Sequence, residues 1–235
     1  MKAKAINIIF FSCMVLMCWG QELTNNKAAN LLIKSLELGN DMPKILGISQ
    51  DSKNVCLVKA EIAGEIINFK FRKYDRGWSV EEFQNKLGMW VPLDDRIKLY
   101  IYQKKLRTAM KEIAEIATAI MDYLSDQGTI MPTAGTYDEN SAIYRALVPN
   151  YIIKMPIKDP WGNNYLIYTG EKINGLYGLK AKNRSDFVVI SLGKDGKKEE
   201  WIFLENSPEG GLFSGGEGNE DLIMFNGSWI RAPKR

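Results

Sequence analysis

Three short stretches in the second half of this chain combine turn-forming residues with carboxylates: Asp159-Pro160-Trp161-Gly162-Asn163, Ser191-Leu192-Gly193-Lys194-Asp195-Gly196 and Gly215-Gly216-Glu217-Gly218-Asn219-Glu220-Asp221-Leu222-Ile223. Asp195 follows an apolar run and precedes a glycine. Asp221 precedes an aliphatic pair and has Glu217 and Glu220 close by in sequence. Carboxylates on two glycine-rich loop edges suit a hard cation. Calcium takes about six to eight oxygens, and backbone carbonyls supply several of them where glycine lets a loop curl inward. Magnesium fits less well because it keeps its waters. Zinc fits poorly without histidine or clustered cysteine. The spacing is not that of an EF-hand, since Gly196 directly follows Asp195. The alternative is two polar turns with solvated carboxylates.

Histidine is absent from the chain. That removes the Ser-His-Asp triad, the Cys-His pair, the two-histidine zinc site and any imidazole relay. Carboxylate chemistry is what remains for an enzyme, and Asp159 and Glu61 are the acids that could carry an envelope hydrolase. Neither has a marked acidic partner. Asp159 reads better as structural: proline fixes φ, Gly162 permits positive φ, and Trp161 anchors the turn on the core. The expectation is therefore a protein that is not an enzyme.

The elements that must position these loops follow from periodicity. Residues 27–38 read as a short helix, with Ala28, Leu31, Leu32, Ser35 and Leu36 on one face. Val55 to Ala63 and Glu65 to Lys73 read as strands joined at Ala63-Gly64, followed by a turn over 74–78 and a strand over 79–83. A long amphipathic helix is expected from Asp94 to Gln127, ended by Gly128. A helical patch lies at 141–147. Strands are expected at 165–169, 187–192, 200–204 and 222–229, with a loop over 206–220. Trp78, Trp90 and Cys56 read as core. These elements define an α+β fold: a small module over residues 21–95, of unassigned role, and a second domain over 96–235 in which a long helix packs on a small antiparallel sheet.

The N-terminus reads as a signal peptide over 1–20. Lys2 and Lys4 precede an apolar run from Ile8 to Trp19, too short for the roughly 20 residues that span a bilayer. Cys18-Trp19-Gly20 is a small-x-small cleavage pattern. A lipid anchor at Cys18 is the alternative, although Met17 is large for the position before an acylated cysteine. Either way the mature chain is expected outside the cytoplasm, periplasmic or secreted, with no membrane-spanning segment. It then holds one cysteine, Cys56, and no internal disulfide. The formal charge is +3, of which Lys2 and Lys4 supply two. No basic stripe points to nucleic acid.

Taken in order, Gly128 to Pro132, Tyr144-Arg145-Ala146-Leu147-Val148, Asp159 to Tyr165, Ser191 to Gly196, Gly215 to Ile223 and Trp229 resemble the globular domain of the type II secretion major pseudopilin, the G subunit. The resemblance covers about residues 104–235. It implies a structural calcium ion in the loop joining the last strands. Asp195 and Asp221 would be its side-chain ligands, Leu192 and Lys197 would offer carbonyls, and Glu220 would be an additional ligand. It also implies protein partners in the cell envelope, with secretion machinery among them. The chain departs from that family's pattern at its N-terminus, where the apolar run precedes Gly20, in the extra module over 22–95, and in a longer loop between Gly196 and Gly215.

Overall fold

A computed structural model of the chain describes residues 22–130, 132–204, 211–213 and 219–234. The expected signal peptide, Cys18 and most of the expected loop over 206–220 lie outside the described residues.

The first helix, α1 (Asn25–Leu36), starts where Thr24 accepts a hydrogen bond from the Lys27 amide at 3.3 Å, and it buries Ala28, Ala29, Leu32 and Leu36. An antiparallel sheet follows in chain order: β1 (Lys44–Ser52), β2 (Val55–Ile62), β3 (Glu65–Tyr74), β4 (Gly77–Gln84) and β5 (Trp90–Pro92). The β2–β3 turn places Ala63 and Gly64 at φ 51° and φ 72°. Two successive positive-φ residues give a hairpin turn whose twist matches that of the strands. Alternation along the strands sends Val58, Ala60, Phe69, Phe71, Trp78 and Val80 to one face, where α1 covers them. Cys56 joins that core, where burial raises its thiol pKa. Trp90 is only half-buried, and the Lys70 ammonium sits 4.6 Å from its ring centre.

Helix α2 (Asp95–Gln127) runs for 33 residues. At the α-helical rise that is a rod of about 50 Å. The Asp94 carboxylate caps its start by accepting from the Arg96 amide at 3.0 Å, and Gly128 ends it in the left-handed region, as helix-start acids and helix-end glycines do. Its first turns put Ile97 and Ile101 into the N-terminal core. From Leu106 onward Ala109, Ile113, Ala117 and Ile120 enter a second core. The N-terminal core thus extends past the expected division at 95/96 and into the helix.

The second sheet comprises β6 (Ala134–Thr136), β7 (Leu166–Thr169), β8 (Phe187–Ser191), β9 (Leu212–Phe213), β10 (Leu222–Phe225) and β11 (Ser228–Pro233), in the order β6-β7-β8-β10-β11-β9. Its pairings are antiparallel except β11 with β9. One face, with Ile167, Val189, Leu222 and Met224, packs on α2 and on the short helix α3 (Ala142–Leu147). The other, with Val188, Ile190, Ile223 and Ile230, is covered by Ile173, Tyr177, Leu179, Trp201 and Phe203. Every residue of β8 is buried, as a strand covered on both faces requires.

Other expectations change as well. The edge strand β1 was not foreseen, because Gly47, Ser49, Gln50 and Asp51 show no alternation. Residues 222–229 form a hairpin rather than one strand, turning at Asn226-Gly227. Residues 200–204 form no strand: Trp201 and Phe203 face the core, and the Phe203 amide donates to the Tyr177 carbonyl at 2.7 Å.

The two cores meet at Lys105, which is 1% exposed. Its ammonium pairs with Asp41 at 2.8 Å and donates to the Leu38 carbonyl at 3.2 Å, and burial lowers its pKa. Beside it the backbones of the halves touch. A Cβ at Gly162 would lie 2.8 Å from the Asn40 carbonyl oxygen, and one at Gly39 would lie 3.0 Å from that of Lys194, both at positive φ. Removing one member of a buried pair strands the other charge. Asp41 keeps contact with water whereas Lys105 does not. Asp41→Asn is therefore expected to lower unfolding free energy by about 2–3 kcal/mol and Lys105→Met by less than about 1 kcal/mol, read by urea denaturation.

Candidate functional site

The register of β8 and β10 builds the site. Leu222 pairs with Ser191, so Asp221 lies across from the point where the chain leaves β8 into the loop Leu192-Gly193-Lys194-Asp195-Gly196-Lys197. Asp195 and Asp221 are thereby brought to one end of the sheet, near enough that the charge of Asp195 opposes ionisation of Asp221.

The loop is held from outside. The Asn163 side-chain amide donates to the Gly193 carbonyl at 2.7 Å, and its oxygen accepts from Asn40 at 3.0 Å. The turn over 159–163 is fixed in its own right. Asp159 Oδ1 accepts from the amides of Trp161 (3.0 Å) and Asn163 (2.9 Å), and Oδ2 accepts from the Ser191 hydroxyl at 2.7 Å. Both oxygens are spent on backbone and β8, and Trp161 is buried, which is the structural role expected for this stretch. Burial nonetheless raises the Asp159 pKa. Glu61 sits half-exposed on β2, 3.6 Å from Lys44.

Asp221 is fully buried. Its Oδ2 accepts from the Tyr177 hydroxyl and from the Glu199 amide at 2.9 Å. Its Oδ1 has no hydrogen-bond partner and no contact with solvent. Arg231, in the same cluster, is committed to Glu199, donating from Nε at 3.0 Å and from a terminal nitrogen. Desolvation, then the charges of Glu199 and Asp195, push the Asp221 pKa up to about 6, against the hydrogen bonds that lower it. A buried carboxylate with an orphaned oxygen is costly unless a positive charge meets it.

A hard cation would meet it. Asp221 Oδ1 is an unused oxygen, and Asp195 supplies a second carboxylate on an exposed loop whose turn closes through the Lys197 amide at 3.0 Å. Among the described residues no three His, Cys, Asp or Glu side chains converge on one point. Carbonyls would therefore have to complete the set, as calcium allows. Leu192 and Lys197 lie in the same loop and carry carbonyls of that kind. Glu220 lies differently: its charge acts on Tyr102 of α2, across the sheet from the Tyr177 side on which Asp221 is bonded. Tyr177, Glu199 and Arg231, which define the setting of Asp221, were not singled out from sequence. The one signal was the acid pair Glu199-Glu200 before Trp201.

The fold and the site define an α+β protein with a long helix, an antiparallel sheet and a buried carboxylate at the sheet's end. No helix among the described residues is long and apolar enough to cross a membrane. No family model, curated protein or solved structure matches this chain.

The Asp221 shift fixes a pH dependence for chelator-treated protein. The carboxyl has a higher pKa folded (about 6) than unfolded (3.8), so the native state binds more protons between those values. Stability is then expected to fall as pH rises from about 4 to about 6, by about 3 kcal/mol, and to level off above. Asp221→Asn is expected to flatten that limb in urea denaturation curves with chelator present.

Proposed function

We propose that this is a non-enzymatic, extracytoplasmic structural or interaction protein whose C-terminal half is a pseudopilin-like domain stabilised by one calcium ion. The observation that carries the reading is the buried, unpartnered Asp221 Oδ1 opposite the Asp195 loop. The ordered motifs from Gly128 to Trp229, and the long helix packed on an antiparallel sheet, support it. Asp221 and Asp195 would hold the ion by their carboxylates, and Leu192 and Lys197 by carbonyls. The ion would supply charge compensation and no chemistry, tying the start of β10 to the loop after β8. Under this reading residues 1–20 are a signal peptide and the chain works in the envelope or outside it. Protein partners there, including secretion machinery, are the partners it implies.

A ligand bound only by the native state adds about 2.7 kcal/mol at a hundredfold excess over its dissociation constant. Calcium is therefore expected to raise the melting temperature progressively with concentration, more than magnesium does at equal concentration. Asp221→Asn should remove the response, and Asp195→Ala should displace it to higher calcium. A calorimetric titration in which the wild-type melting temperature ignores calcium would sink the proposal.

A further inference from the structure

The N-terminal module carries a groove that the calcium reading leaves unused. Strand β3 pairs with β2 along the whole length of β2, from Val55–Arg72 to Ile62–Glu65. On its other side the ladder with β4 begins only at Phe69–Phe83. Past Gln84 the chain turns away through Asn85–Met89, a loop closed by the Asn85 side chain accepting from the amides of Leu87 and Met89. Residues 65–68 of β3 are thus left with one unpaired backbone edge, inside an otherwise continuous sheet. This notch forms the side of a groove of about 570 Å³, walled by the loop and by the first turns of α2.

The lining states what would fit. Ile66 is 59% exposed and Leu87 is 81% exposed, and Phe83 and Tyr100, packed on the N-terminal core, line the same groove. Single exposed aliphatic residues are ordinary, but two beside one open strand edge mark a docking surface. The charges at the groove are unequal. Glu65 is its acid, and it is already engaged by the Tyr100 hydroxyl at 2.6 Å and by Lys104. Lys86 and Arg96 line the same groove; Lys86 lies 5.4 Å from the Tyr100 ring centre and its charge also acts on Glu65, and Arg96 pairs with Asp94 at 4.0 Å. The groove offers unpaired backbone, apolar side-chain contacts and a lining in which two cations face one acid.

We propose that this notch binds an extended peptide segment of a protein partner, which adds to β3 as a short strand in line with β4. Four residues of edge span about 13 Å, so the segment is about four residues long. It carries an aliphatic side chain toward Ile66 and Leu87 and an acidic one toward Lys86 and Arg96. Main-chain hydrogen bonds give such binding its affinity, and the side chains give it specificity.

The test uses the full chain with chelator present, which separates the outcome from the calcium site. A fluorescein-labelled peptide with the core Val-Ile-Val-Glu, flanked by Gly-Ser and blocked at both ends, is titrated by fluorescence anisotropy. Saturable binding is expected. N-methylation of the central residues, Lys86→Glu, and Ile66→Asp should each weaken it by about tenfold. The three side-chain positions probed here and in Leu87→Asp are exposed, so these variants should melt as the wild type does. Amide hydrogen exchange of Ile66 and Asn68, whose backbone faces the notch, should slow on binding. No binding overturns the proposal. So does binding that N-methylation leaves unchanged, which reports a greasy patch without strand addition. Self-association of the protein that blocks the groove overturns it as well, because the occupant is then a second copy.

Discussion

Helix α2 has to serve two cores with one continuous apolar stripe, and much of the architecture follows from that constraint. Its first turns insert Ile97 and Ile101 beneath the β1–β5 sheet, and its later turns carry Ala109, Ile113 and Ile120 beneath the β6–β11 sheet. An unbroken helix cannot bend to suit both without a proline, glycine pair or bulge, and its sequence has no proline and no glycine. The sheets must instead be placed along it, about one helix length apart at most. Lys105 occupies the point where the stripe passes from one core to the other, and the polar lock with Asp41 and the Leu38 carbonyl fills a position that an aliphatic residue would otherwise take.

That placement also explains how the Asp195 loop is held. The turn over 159–163 is bonded to β8 through Ser191 and to the loop through Asn163, and Asn163 reaches Asn40 in the other half. Glu37, where α1 gives way to the loop, receives both Lys98 of α2 and Lys194 of the Asp195 loop. These two ammonium groups, Lys194 foremost, hold its carboxyl down to about 2. The loop carrying Asp195 is therefore pinned from the N-terminal half as well as from its own sheet. Only Asp221, buried on the far face beside Tyr177, keeps a buried side-chain oxygen without a partner among the described residues.

Much of this was legible in the sequence where local chemistry and tertiary packing agree. The long helix, its glycine stop and the β2–β3 hairpin each carry a period and a turn signal that the fold obeys. Strand β1 was invisible because an edge strand in contact with water has no apolar alternation to show. Residues 200–204 misled for the opposite reason: Trp201 and Phe203 alternate with polar or exposed neighbours as a strand would, yet they serve as lids on the sheet's outer face. The hairpin at Asn226-Gly227 was hidden by the apolar residues that flank it on both sides. At the site, the two aspartates stood out because carboxylates beside glycine are conspicuous. Tyr177, Glu199 and Arg231 were not, since their role comes from a meeting of distant segments. The isolation of Asp221 Oδ1 is a property of that meeting and of no single stretch.

The glycine contacts between the halves have a consequence for how such a chain can change. Gly39 and Gly162 bring backbone against backbone, so the fit depends on the absence of side chains rather than on their identity. Surfaces matched in this way tolerate drift in nearly every neighbouring residue and tolerate none at the glycines themselves. Together with a helix rooted in both cores, they make the chain a poor donor of parts: a fragment cut at residue 96 would leave behind Ile97, Ile101 and the partners of Glu37. A lineage carrying this architecture would be inherited whole, its two halves diverging in sequence while keeping the same pair of small residues at the seam.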